Sequence, residues 1–204
     1  NSKYAQKVTA LLDRVQADCV VFLGDMMQLP DTDISRVCDV IAAEKDRSRI
    51  YAVFGNHEAS CGYAARKELS RQLTKSGAAV LLNKAAEIKR GDKTVRLIGI
   101  EDTGDAVVDD AKVQEIRDTV LTQARDGQCN ILLYHRADLY PKIKDLPVSL
   151  ILSGHLHGGV VRLPYFGGVV GGSGKTLFPP YTEGVYQEGE DAATMIVSRG
   201  CDYN

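Results

Sequence analysis

Little in this sequence would staple, anchor or charge the chain. Its five cysteines, Cys19, Cys38, Cys61, Cys129 and Cys201, are odd in number, scattered and without a CxxC pair, which excludes a disulfide scaffold and reads as reduced thiols in a reducing compartment. Cys19, inside the apolar run Cys19–Leu23, reads as a small core residue. No apolar stretch approaches the roughly 18 residues of a membrane span, and the opening residues are not expected to act as a leader peptide. The expected location is therefore cytoplasmic, or membrane-associated through segments outside these residues. Charge of one sign is also missing. Lys and Arg number 25 against 27 Asp and Glu, for a net charge of −2 and a pI near 6.1. A dedicated nucleic-acid surface is excluded on that balance; an enzyme that cuts nucleotides is not. Neither repeat nor linker appears, so residues 1–204 read as one domain able to bury a substantial core, and 44% apolar with 25% charged residues is an ordinary globular composition.

The first half alternates helix and strand. Tyr4, Val8, Leu11, Leu12 and Val15 recur at helical spacing and predict a helix over 3–16, followed by a buried strand from Cys19 to Leu23. Ile34, Val37, Cys38 and Ile41 predict a second helix, with Asp31 or Asp33 as its N-cap. A strand over Ile50–Phe54, a helix over Tyr63–Ser76 stopped by Gly77, and a short strand over Ala79–Leu82 come next. Ala86–Arg90 and Val95–Ile100 flank Gly91-Asp92-Lys93-Thr94 as a hairpin, so Arg90-Gly91-Asp92 is a turn and not an adhesion tripeptide. The polar stretch Glu101–Asp110 reads as a loop, and Val113, Ile116, Val120, Leu121 and Ala124 mark a fourth helix. From Ile131 onward the helical period disappears and the runs are β-like. The expected fold is α/β, a four-layer α-β-β-α sandwich of two packed mixed β-sheets flanked by helices.

Gly171-Gly172-Ser173-Gly174-Lys175-Thr176 invites comparison with a phosphate loop. Val169 stands where the first glycine must be, and Phe178-Pro179-Pro180 blocks the helix that must follow, so the stretch reads as a glycine-rich surface loop.

Histidine is scarce, with four in the chain, and that scarcity makes the placement informative. His57 follows Ile50–Phe54 within Gly55-Asn56-His57-Glu58, His135 follows Ile131–Tyr134, and His155 and His157 follow Leu150–Leu152 within Gly154-His155-Leu156-His157-Gly158-Gly159. A fourth run, Cys19–Leu23, ends in Gly24-Asp25. In an extended segment residues i and i+2 share a side, which would project His155 and His157 together. In open α/β sheets ligands collect at the carboxyl ends of strands, where Asp25, Asn56, His57, His135, His155 and His157 all fall. Imidazole nitrogen mixed with carboxylate and amide oxygen suits Mn, Fe or Zn, and a carboxylate with two oxygens can bridge two ions, the usual device for phosphoryl displacement.

On these motifs, in this order, the chain resembles the calcineurin-like metallophosphoesterases, and the run from Phe178 through Gly184-Val185-Tyr186 to Val197-Ser198-Arg199-Gly200 looks like a branch of that family whose members are often bacterial and membrane-associated. The resemblance implies that Asp25 bridges two divalent or mixed-valence ions, that Asn56, His135 and His155 complete one metal, and that His157 binds the other. His57 is then the catalytic histidine that contacts phosphate or protonates the leaving oxygen. The implied reaction is cleavage of a phosphoester or pyrophosphate bond by metal-bound hydroxide, on a phosphorylated small molecule, a nucleotide or a lipid-linked phosphate. The family's opening Asp-x-His is not among these residues; it is expected upstream of Asn1, in a domain truncated at both ends, which leaves the second metal with Asp25 and His157. A scaffold with an incomplete metal centre is the rival expectation. Glu58 is expected either to orient a ligand or to cap the helix that follows, and Arg136 either to grip phosphate or to be an exposed charge. Glu101 and Asp102 stand at the end of a strand on the same face.

Overall fold

The computed structural model describes residues 3–46, 49–104, 107–159, 161–163, 167–170 and 177–201. The glycine-rich stretch at 171–176 lies outside them. In chain order the elements are α1 (Lys3–Val15), β1 (Cys19–Phe22), α2 (Ser35–Glu44), β2 (Arg49–Ala52), α3 (Asn56–Ser60), α4 (Tyr63–Ser76), β3 (Ala79–Val80), β4 (Lys84–Arg90), β5 (Lys93–Gly99), α5 (Asp110–Gln123), β6 (Cys129–Arg136), a 3-10 turn (Ala137–Leu139), α6 (Tyr140–Ile143), β7 (Leu150–Gly154), β8 (Val161–Leu163), β9 (Gly167–Val170), β10 (Gly184–Tyr186) and β11 (Thr194–Val197). No helix among the described residues is long and apolar enough to cross a membrane.

Local chemistry explains most of the boundaries. Gly77 closes α4 in a left-handed conformation, φ 119, its N–H donating to the carbonyls of Leu73 and Thr74. Asp109 caps α5 by accepting from the Lys112 N–H at 2.8 Å. At α2 the expected aspartate cap is absent: Ile34 is the capping residue, while Asp33 accepts from the Ser35 N–H and Asp31 from the Asp33 N–H, folding the approach instead of the helix end. The second half is not free of helix either. The 3-10 turn and α6 lie between β6 and β7, with Leu139, Tyr140 and Ile143 buried; elements of three and four residues are too short to show a period.

Two sheets form the centre. The smaller has order β1-β2-β3 with both pairings parallel, and the larger has order β10-β11-β7-β6-β5-β4, parallel from β5 to β11 and antiparallel at each edge. A separate antiparallel pair, β8-β9, completes the set. Alternation along the strands sorts the apolar side chains into three cores. Tyr51, Val53, Leu97 and Leu133 meet between the sheets, Ile50, Ala52 and Phe54 face α2 and α4, and Leu132, Tyr134 and Ile151 face α5 and α6. Three cores stacked in this way are a four-layer α-β-β-α sandwich. The parallel strands β1, β2, β6 and β7 run toward the same rim, as the contact between the Leu23 carbonyl and the His135 ring near the end of β6 shows.

Candidate metal centre

The chain leaves β1 through two left-handed residues, Gly24 (φ 93) and Asp25 (φ 51). Only glycine takes the first angle without cost, and an aspartate tolerates the second better than most side chains. The bend turns the Asp25 carboxylate back over the rim. From β2 the chain passes Gly55 straight into α3, so Asn56, buried, and His57, half-buried, occupy its first turn. β6 delivers His135, which is 2% exposed. At the end of β7 the Leu156 N–H donates to the Gly154 carbonyl at 3.0 Å around His155 at φ 75, a tight three-residue turn.

Four donor atoms meet at the His135 ring. Its Nε2 lies 3.1 Å from Asp25 Oδ2, 3.2 Å from Asn56 Oδ1 and 3.2 Å from His155 Nδ1. Its Nδ1 donates to the Leu23 carbonyl at 2.6 Å, which fixes the tautomer and turns Nε2 inward. The donor atoms of Asp25, His135 and His155 all lie within 4.8 Å of one another. Asp25 Oδ2 and Asn56 Oδ1 can only accept, and the two imidazole nitrogens can hold one proton between them at their separation. Lone pairs aimed at one another in a buried space are costly unless a cation lies among them. Donor atoms at this spacing would suit a divalent metal ion, which would relieve the crowding of the lone pairs.

The electrostatics keep the carboxylate charged. Burial would raise the Asp25 carboxyl, but the hydrogen bond and charge of His135, with the His57 amide, hold it at about 2. Burial opposes protonation of His135, and Asp25 outweighs it and raises that ring. His155 is held below the ordinary imidazole range by burial and by the neighbouring His135.

His57 is placed beside this group. Its N–H donates to Asp25 Oδ1 at 3.1 Å, and its ring Nδ1 lies 3.1 Å from the Met27 carbonyl, while Nε2 has no hydrogen-bond partner among the described residues. His157 is exposed and stands outside the donor group. The extended geometry expected of the pair is overturned: His155 and His157 both have positive φ, 75 and 52, because β7 ends at Gly154 and the chain turns, burying Leu156 between them.

Arg136 is not the exposed charge that one expectation made it. Its Nε donates to Asp102 at 3.0 and 3.2 Å and a terminal nitrogen to the Gly104 carbonyl, with side-chain exposures of 12% and 0% for Arg136 and Asp102. Asp102 also accepts from the Gly104 N–H at 2.9 Å. Glu101 pairs with Arg66 of α4 at 2.8 Å. These pairs pin the loop after β5 against β6 and α4. The sequence held no local sign of the Asp102–Arg136 pair, since its members are 34 residues apart.

Two glycines make the approach of β1 to β2 possible. A Cβ on Gly55 would overlap Asp25 Oδ1 and come within 2.7 Å of the Asp25 nitrogen and 2.9 Å of His135 Cε1; one on Gly24 would overlap the Gly55 nitrogen. A Cβ on Gly154 would find its nearest neighbours at 3.9 and 4.0 Å, an ordinary contact. Gly55→Ala is therefore expected to lower stability by about 1–3 kcal/mol, as overpacking does, and to weaken metal binding. Gly154→Ala should leave both nearly unchanged. Thermal unfolding and metal titration of the two variants side by side check this; equal behaviour would contradict it.

Residues 2–159 match the profile described as calcineurin-like phosphoesterase. The chain belongs to that family. The matched span holds Asp25, Asn56 and all four histidines. Among curated relatives, the metallophosphoesterase YkuE of Bacillus subtilis is 30% identical over 201 residues, covering 95% of this chain and 64% of that protein. The phosphodiesterase YaeI of Escherichia coli is 27% identical over 151 residues, covering 74% of this chain and 52% of its own length. This calcineurin-like chain thus spans about half to two thirds of the length of those relatives. Among solved structures, the NAD nucleotidase NadN of Haemophilus influenzae shares the fold at a TM-score of 0.57 and 18% identity, over 96% of this chain and 42% of that one.

Proposed function

We propose that this chain carries the catalytic core of a metal-dependent phosphohydrolase that cleaves a phosphoester or pyrophosphate bond. The observation that supports this reading is the convergence of Asp25, Asn56, His135 and His155 on one buried point. Those four residues would hold a divalent ion. When bound, such an ion supplies charge that acidifies water and neutralises phosphate oxygens. The chain's own residues do the rest. Asp25 and His135 fix the position of the site between the two sheets. His57 is tied through Nδ1 to Met27 and offers Nε2 to the substrate as a proton donor. Water forms the new P–O bond as the ester P–O bond breaks. The leaving oxygen takes the Nε2 proton of a doubly protonated His57 ring, whose Nδ1–H stays on the Met27 carbonyl, and the proton given up by the attacking water restores that ring. A phosphodiester or nucleotide-type substrate accords with the activities for which the phosphodiesterase YaeI and the NAD nucleotidase NadN are named.

A second reading, one structural or catalytic ion in place of two, is favoured by the position of His157 outside the donor group. Elemental analysis of purified protein loaded with Mn²⁺ separates the two readings by stoichiometry. An aryl phosphodiester assayed with Mn²⁺, Fe²⁺ and Zn²⁺ tests the activity: turnover that a chelator abolishes and added metal restores is expected. Bound metal with no turnover on diester, monoester or pyrophosphate probes would leave a metal-holding scaffold.

A further inference from the structure

We infer that Glu58 is the positioning residue of this centre, setting the Asp25 carboxylate and the His57 ring through backbone amides; the inference rests on the metal-site reading above. Glu58 is 1% exposed and its carboxylate accepts four N–H groups. Oε2 takes those of Asp25 and Gly55, both at 2.8 Å, and Oε1 takes those of Met26 at 2.6 Å and Met27 at 3.2 Å. Only the Gly55 bond belongs to the capping of α3. The other three reach across 31 to 33 residues to the segment leaving β1, so helix capping does not account for them. Burial pushes the Glu58 carboxyl up from its usual range, against the pull of these amides.

The clamp runs in both directions. Glu58 holds the Asp25 N–H, and Asp25 Oδ1 holds the N–H of His57, the residue before Glu58. Met27 closes the loop: its N–H goes to Glu58 and its carbonyl receives the His57 ring. One carboxylate thereby fixes the left-handed Asp25 at φ 51 and the rotation of the His57 ring, while Asn56 rides on the same turn of α3. A neutral amide in its place offers one accepting oxygen and turns an NH₂ donor toward N–H groups, so some of the four bonds must break.

The test compares wild type, Glu58→Gln and Glu58→Asp in metal-free and Co²⁺-loaded states. For Glu58→Gln the expected results are Co²⁺ affinity lower by about 10–100-fold, the loss usual for an outer partner of a metal ligand, a changed Co²⁺ visible spectrum, and a fall in kcat exceeding any rise in KM. Glu58→Asp, which keeps the charge and a reach to Gly55, should recover part of the affinity. Wild-type affinity and spectrum in Glu58→Gln would overturn the inference. Should that variant fail to fold, amide hydrogen exchange of wild type decides: slow exchange at Met26 and Met27 supports the clamp, and exchange at open-loop rates refutes it. Failure of wild type itself to bind Co²⁺ would overturn the metal-site reading, while the exchange rates would still report on Glu58.

Discussion

Replacing His135 with alanine is expected to abolish tight metal binding and, with it, hydrolysis. The ring is the one group in contact with every other donor, 3.1 Å from Asp25, and 3.2 Å from both Asn56 and His155. Outer partners of metal ligands are worth about 10–100-fold in affinity, so loss of a direct ligand should exceed about 100-fold by that measure. The variant also strands the Leu23 carbonyl, which accepts from His135 Nδ1 in a buried setting; an unsatisfied group of this kind costs about 1–3 kcal/mol. Calorimetric titration with Mn²⁺ or Zn²⁺ reads the first effect and thermal unfolding of metal-free protein the second. Metal binding at wild-type strength in this variant would remove His135 from the centre.

His57→Ala should separate binding from chemistry. Its ring lies beside the donor group without entering it, and its hold on Asp25 is through the backbone N–H, which alanine keeps. Metal affinity is therefore expected to stay near wild type while turnover falls by about 10²–10⁴-fold, the usual worth of a positioned general acid. The deficit should grow as the leaving group becomes more basic, because an alkoxide needs a proton more than a nitrophenolate does. Activity on diesters with poor and good leaving groups, measured beside metal titrations, checks both halves. An equal loss on both substrates, with metal also lost, would make His57 a structural support and not an acid.

The apolar runs that become β1, β2, β6 and β7 were readable because each ends in a polar or glycine residue, and the donors Asp25, Asn56, His135 and His155 sit within a few residues of those ends. Parallel strands buried on both faces write themselves as short continuous apolar stretches. The conformation beyond the strand ends was not readable. Extended spacing placed His155 and His157 on one side, whereas a three-residue turn splits them. Partners across long separations were also hidden: nothing local to Arg136 announces Asp102, and nothing local to Glu58 announces the amides of Asp25, Met26 and Met27. Spacing reports a residue's own element, whereas these bonds depend on how two sheets are laid together.

That arrangement has a consequence for folding. Asp25 and Asn56 descend from the three-stranded sheet, His135 and His155 from the six-stranded one. A cation held by all four would act as a rivet through the sandwich, joining segments up to 130 residues apart in the chain (Asp25 to His155). Because neither half alone offers the full grip, the folded form would gain RT ln(1 + [L]/Kd) over the unfolded one, about 2.7 kcal/mol at a hundredfold excess of ion over Kd. Occupancy would then govern how firmly the halves stay together as well as what they can do.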